Sequence, residues 1–291
     1  MVSLPSTWIK KNGLSKGSLV NIEEEKNDIK IYTSKIEKKL KAKVKINEKE
    51  IPLRRVLLSL YEKGIDEIEI DFPQELIIEI ERIVNELIGF EIIEQNKNYC
   101  LIQEITNTSQ NDFENIIRRL FLLTKSMLED GLIAIKNNDK ELIEHLEYRD
   151  IDINKFSYYC KRLINKNNDL NFDKISYYQI VESLEFIGDE IKRLFWHLIK
   201  FKSKFSKKDI ELYEKVNILF NDCYTFVYNP KEILLKKIRK DYVFLRNNFL
   251  VDNKDLWIRH YLFNILDLSI KIERTQISNL KNVEINKWFD H

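Results

Sequence analysis

Beyond residue 110 this chain nearly stops using the residues that punctuate a fold. Of its six glycines and four prolines, only Gly131, Gly188 and Pro230 lie past that point. What remains is a charged tract rich in leucine and isoleucine. Ile116, Leu120, Leu123, Met127, Gly131 and Ile135 follow alternating steps of four and three. Ile180, Leu184, Ile187, Ile191, Leu194 and Leu198 do the same, as do Leu212, Val216, Leu219 and Cys223 more briefly. This is the spacing of one helix face. Breaks near Asn137-Asn138, Asn165 to Asn171, Ser206, Asn229-Pro230 and Asp252-Asn253 predict six helices of about 20–30 residues. Each has one strong apolar stripe, so the helices must pack side by side. Two consecutive three-helix bundles, divided near Ser206, meet that need.

The first hundred residues are turn-rich. In Ser3-Leu4-Pro5-Ser6-Thr7-Trp8-Ile9-Lys10-Lys11-Asn12-Gly13-Leu14, Pro5 fits the first position of a short helix and Gly13 the residue past its end. Strands follow at Leu19–Ile22 and Ile29–Tyr32, around a turn at Lys26-Asn27-Asp28. A second segment starts with a strand at Val44 and Ile46. The stripe Leu53, Val56, Leu57 and Leu60 predicts a helix stopped by Gly64, and Ile65, Ile68 and Ile70 a strand. Pro73 opens a helix carrying Ile77, Ile80, Ile83, Val84 and Leu87, stopped by Gly89. A hairpin around Gln95 to Asn98 completes a β-α-β-α-β-β unit. The expected fold is mainly α, with a β-rich head at 1–36 and an α+β segment at 42–106. Three-helix repeats are expected at 109–205 and 206–280.

Net charge is only +1, yet residues 1–45 hold eleven lysines against five acids. A positive end on a neutral body suits a phosphate backbone or an anionic surface; a solvated lysine-rich face is the plainer alternative. Cys100, Cys160 and Cys223 are odd in number and far apart, which points to a reducing, cytoplasmic setting and to buried apolar thiols. No apolar run is long enough to cross a bilayer, so a membrane role is expected only through a partner. His145, His197, His260 and His291 are scattered, and there is no phosphate-binding glycine loop. Nothing sets a nucleophile beside a base, so the chain reads as a non-enzyme.

The opening residues Ser3-Leu4-Pro5, Trp8, Lys10, Lys11, Gly13-Leu14 and Gly17 resemble the AbrB/SpoVT swapped-hairpin family. That resemblance implies a homodimer of interleaved strands that grips DNA, with Lys10, Lys11 and Lys16 as phosphate contacts. The family carries one further strand and a basic loop before this core. The sequence begins there, so an incomplete hairpin with an unpaired edge is expected. The helical part resembles the PhoU family. Leu184-Glu185-Phe186-Ile187-Gly188-Asp189 is close to its L-E-R-I-G-D. Arg149-Asp150-Ile151-Asp152-Ile153-Asn154-Lys155, with Arg162 beyond, stands where it carries R-D-x-E-V-D-R. Gly89-Phe90-Glu91-Ile92-Ile93-Glu94 is similar to a strand of the archaeal fused forms. This likeness implies a dimeric cytoplasmic regulator of phosphate uptake, acting on a phosphate transporter subunit or a signalling partner. Several such proteins hold metal through E/D-x-x-x-D pairs.

Glu185 and Asp189, four apart, share one helix face, as do Asp150 and Asn154. If those helices are antiparallel neighbours, four oxygen-bearing side chains converge, a donor set suited to a divalent metal or iron. The alternative is ordinary ion pairing, Asp189 with Arg193 and Glu185 with a nearby lysine. In the second repeat the matching positions fall at Asn264 and Leu268, and leucine cannot ligate. Together these readings predict a regulator whose head contacts DNA and whose helices sense a partner, metal or phosphate state. The other readings are a protein-interaction adaptor without DNA contact and, less favoured, a metal-dependent hydrolase.

Overall fold

A computed structural model describes residues 3–25, 28–33, 39–47, 52–106, 113–166, 173–249 and 256–280. The expected turn at Lys26-Asn27, the breaks at 167–171 and Asp252-Asn253, and His291 lie outside those residues. The chain forms two compact units, Met1–Leu40 and Lys41–His291.

In the first unit, α1 (Ser6–Lys11) precedes strands β1 (Asn21–Glu25) and β2 (Asp28–Tyr32), paired antiparallel. Pro5 stands one residue before the helix rather than at its first position, and its carbonyl accepts from Ile9 N at 3.0 Å. Gly13 takes φ +62°, so that Leu14 N can reach Ile9 O at 3.0 Å and close the helix. The register sets Ile22 opposite Ile31 and Ile29 opposite Glu24. Because side chains alternate, Ile22, Ile29 and Ile31 share one face of this ribbon. None of the described residues of this unit is buried.

The second unit begins with a mixed sheet in the order β3-β4-β6-β5. Its strands are β3 (Lys41–Lys45), β4 (Glu67–Asp71), β5 (Phe90–Asn96) and β6 (Tyr99–Glu104). The pair β3/β4 is parallel and so needs a crossover, which α2 (Leu53–Glu62) supplies. Helix α3 (Ile77–Asn85) returns the chain to the β5/β6 hairpin, which carries a bulge between Ile92 and Glu94. One sheet face buries Ile68, Ile70, Cys100 and Ile102. The other holds cross-strand pairs Lys41–Glu67 at 2.6 Å and Lys43–Glu69 at 3.2 Å.

Six helices follow: α4 (Phe113–Asn137), α5 (Lys140–Lys166), α6 (Lys174–Phe201), α7 (Lys207–Tyr228), α8 (Glu232–Phe249) and α9 (Leu256–Asn279). Helices α4, α5 and α6 pack on one another, as do α7, α8 and α9, and the contacts α4–α7 and α6–α9 join the triplets. The α6 stripe from Ile180 to Leu198 is buried throughout. Asp173 caps α6 by accepting from Ile175 N at 3.1 Å, and Ser206 with Asp209 forms a capping box on α7.

The sheet is fixed to the bundle through α5. Arg162, 1 % exposed, donates from Nη1 to the carbonyls of Tyr61 (3.0 Å) and Ile65 (2.7 Å). Its Nη2 donates to Asp66 and Glu104, each at 3.0 Å. Its guanidinium also lies 5.1 Å and 4.7 Å from the ring centroids of Tyr61 and Phe90. Lys166 Nζ reaches the same two carboxylates at 2.6 Å and 2.5 Å.

Candidate functional site

Two sets of residues carry the functional expectations. The first is in the head. Lys10 and Lys11 occupy the last turn of α1, where the helix dipole favours cations, and both are exposed. Lys16 is exposed in the turn between Ser15 and Ser18, where Ser18 N donates to Ser15 O at 3.0 Å. Gly17, at φ +93°, completes that turn. Beside these lysines the head leaves Leu19 91 %, Ile22 66 % and Ile29 62 % exposed.

The second set lies where α5 and α6 pack. Gly188 makes the approach close: a Cβ there would stand 3.0 Å from Ile153 Cδ1 and 3.4 Å from Asp150 Oδ1. Along α5, Asp150, Asn154, Ser157 and Lys161 recur at steps of four, three and four and so share one face. Along α6, Glu185, Asp189 and Lys192 do the same. Asp150 and Asn154 meet directly, Asn154 Nδ2 donating to Asp150 Oδ2 at 2.8 Å. Lys192 Nζ closes on that same oxygen at 2.7 Å. A separate clasp forms at Glu185, whose Oε2 accepts from Ser157 Oγ at 2.8 Å and from Lys161 Nζ at 2.6 Å. Lys161 also stands 3.7 Å from Glu62 on α2. Asp189 pairs with Arg193 at 3.2 Å. Burial raises the Asp189 carboxyl above its ordinary value, and repulsion from Asp150 adds to this.

Three of the four expected ligands are thus divided between two lysine-centred clasps, Asp150 and Asn154 at Lys192 and Glu185 at Lys161, while Asp189 pairs with Arg193. Among the described residues, no three His, Cys, Asp or Glu side chains gather closely enough to hold a metal ion. Asp150 Oδ1 is buried without a hydrogen-bond partner among the described residues. Its neighbour Oδ2 is nonetheless taken by an ammonium, and Glu185 by another. A cation would have to displace both lysines, so the residues as arranged do not fit one. In the second repeat, Asn264 Nδ2 donates to Glu190 Oε2 at 2.9 Å, while Leu268 packs against the apolar core.

The ion-pair alternative read from the sequence, Asp189 with Arg193 and Glu185 with a lysine, is the arrangement seen, but the pairing of Lys192 with Asp150 was missed. The signal was present: Lys161 lies eleven residues after Asp150 and Lys192 seven after Glu185, both on the faces already identified. His197 packs among the rings of Phe201, Trp257 and Tyr261. The three cysteines are buried and free, and burial pushes the Cys100 thiol up to about 12.

Comparison with known families finds two matches. Residues 117–195 match the PhoU domain, a span that runs from α4 into α6. Residues 1–39 match the family described as antidote-toxin recognition MazE, bacterial antitoxin. No curated protein and no solved structure matches the chain. The chain therefore joins a MazE/AbrB-type domain at its N-terminus to a PhoU domain in its first helical triplet, the fused order its motifs resemble.

Proposed function

We propose that this protein is a non-enzymatic regulator of phosphate homeostasis. It pairs with a second copy through its head, contacts DNA through Lys10, Lys11 and Lys16, and uses its helical part to receive a partner protein such as a phosphate transporter subunit. The regulatory character of both matched domains supports the reading. The observation that carries it is that none of the described residues of the head is buried. A two-stranded ribbon is at best marginally stable alone, and here Ile22 and Ile29 are exposed on one face of it, and Lys10, Lys11 and Lys16 are exposed in the same unit. A second copy laid on that face would bury the isoleucines and double the positive charge.

Light scattering after size exclusion tests the pairing. The wild type elutes as a dimer and Ile22→Asp/Ile29→Asp as a monomer; a dimeric variant would refute pairing through the head. DNA contact is read from gel shifts against DNA upstream of phosphate-transport genes across a salt series. Each lysine–phosphate contact adds about 0.9 to the slope of log affinity against log salt. Lys10→Gln/Lys11→Gln removes four such contacts per dimer and should flatten the slope by roughly 3–4. Wild-type binding indifferent to salt would rule out the DNA role and leave the adaptor reading.

A further inference from the structure

One end of the helical bundle combines two features that the proposed function does not use. Between Ile191 and Lys208 the sequence has three arginine or lysine residues on α6 and then four lysines, with no acid. Lys200, Lys202, Lys204 and Lys207 are all exposed, around the point where α6 ends and α7 begins. Apolar side chains stand out among them. Trp196 and Phe201 are exposed at the end of α6, and Leu256 (70 %) and Trp257 (56 %) at the start of α9.

These segments are held together. The His197 ring lies 4.8 Å from Phe201 and 6.1 Å from Trp257, tying α6 to α9. The buried pair Asp209–Arg259, at 3.0 Å, ties the start of α7 to α9. Lys200 Nζ stands 4.3 Å from the centre of the Trp196 ring, so indole and ammonium are presented side by side. Lys202 ends α6 at φ +52°, a backbone conformation that glycine adopts far more cheaply. The chain therefore turns at a lysine, keeping a charge where an ordinary helix stop would have none.

We infer that this pole docks on an anionic lipid bilayer surface. Tryptophan, phenylalanine and leucine tips set among lysines are the composition of interfacial anchors: the apolar groups enter the headgroup boundary while the ammoniums meet lipid phosphates. A nucleic acid duplex would satisfy the lysines but leave Leu256 and the indoles without a role. Among the described residues no helix is long and apolar enough to cross a membrane, so the contact is peripheral. Such a contact needs no partner protein and is independent of whether the head binds DNA.

The test is flotation of the full chain with vesicles of phosphatidylcholine alone or with about 30 % phosphatidylglycerol, at low and high salt. The wild type should float only with the anionic vesicles and be released by salt. Lys202→Gln/Lys204→Gln/Lys207→Gln, checked for unchanged circular dichroism, should bind roughly a hundredfold more weakly. In a Trp8→Phe/Trp288→Phe background only Trp196 and Trp257 emit. Their fluorescence should shift to the blue on anionic vesicles and be quenched by brominated lipid. The inference fails if anionic vesicles do not retain the protein, or if the lysine variant floats as well as the wild type. It also fails if Lys10→Gln/Lys11→Gln abolishes flotation instead, or if the lysine variant loses DNA affinity while vesicle binding is absent.

Discussion

Replacing Arg162 with methionine should uncouple the sheet from the helices. The guanidinium is 1 % exposed and makes four hydrogen bonds, two to carbonyls and two to the carboxylates of Asp66 and Glu104. Methionine fills much of the space between the Tyr61 and Phe90 rings but takes a donor from both carbonyls, Tyr61 O keeping Gly64 N at 3.0 Å. The two carboxylates would keep Lys166, which is only partly buried. Breaking a buried ion pair from one side costs about 3–5 kcal/mol. At about 1.4 kcal/mol per tenfold, that is two to three and a half orders of magnitude in an opening equilibrium. Native-state hydrogen exchange of the β4 and β6 amides reads this directly: their protection should fall by that factor while α7 and α9 amides change far less. A loss under tenfold in β4 and β6 would show that Arg162 is not what fastens the sheet to α5.

Three other outcomes follow from single contacts. A Cβ at Gly131 would stand 2.4 Å from Phe195 Cζ and 2.6 Å from Tyr213 Oη. Gly131→Ala should therefore lower the thermal midpoint, crowding of about 1–3 kcal/mol outweighing a helix-propensity gain of about 1; an unchanged or higher midpoint would refute the crowding. Glu273 is fully buried, and Arg239 Nε stands 3.0 Å from it without bonding geometry. Burial raises its carboxyl above the ordinary glutamate value despite Arg239. Its ionised form is then penalised by folding, so its contribution is fully present below the unfolded pKa and lost as pH rises through the folded one. Glu273→Gln should accordingly raise stability at pH 7, with the advantage over wild type vanishing in acid; urea titrations at the two pH values would reveal the opposite order if Arg239 prevails. Mn²⁺ should leave the wild-type midpoint unchanged, since Lys161 and Lys192 already neutralise Glu185 and Asp150. Lys161→Met/Lys192→Met should make it metal-dependent, and a metal-induced shift in the wild type would contradict the lysine assignment.

The six helices were legible because amphipathic spacing is a local property. Asn137, Ser206 and Asn229-Pro230 end or begin helices where their chemistry says they should. The β-α-β-α-β-β order was legible for the same reason, Gly64 taking the positive φ of a helix stop, although α3 ends at Asn85 and Gly89, also at positive φ, lies in the turn before β5. Boundaries moved by a residue or two at Pro5 and at β1, which starts at Asn21 and leaves Leu19 outside. The candidate carboxylates were also readable as pairs, since four residues apart means one face whatever surrounds the helix.

What the spacing left open was which residue of the neighbouring helix would meet each carboxylate. Glu185 finds Lys161 across 24 positions, Asp150 finds Lys192 across 42, and Arg162 reaches Asp66 across 96. The lipid-facing pole likewise draws Trp196 and Trp257 from separate triplets.

By itself, then, the sequence determined the rhythm of the elements, most of their stops and the lysine-rich head. Only the tertiary structure decided which lysines would meet Glu185 and Asp150: Lys161 and Lys192. The physical reason is that periodicity assigns each side chain a face along its own axis, whereas the charge opposite it is set by how far one helix slides along another, and a glycine such as Gly188 fixes that only once the two surfaces touch.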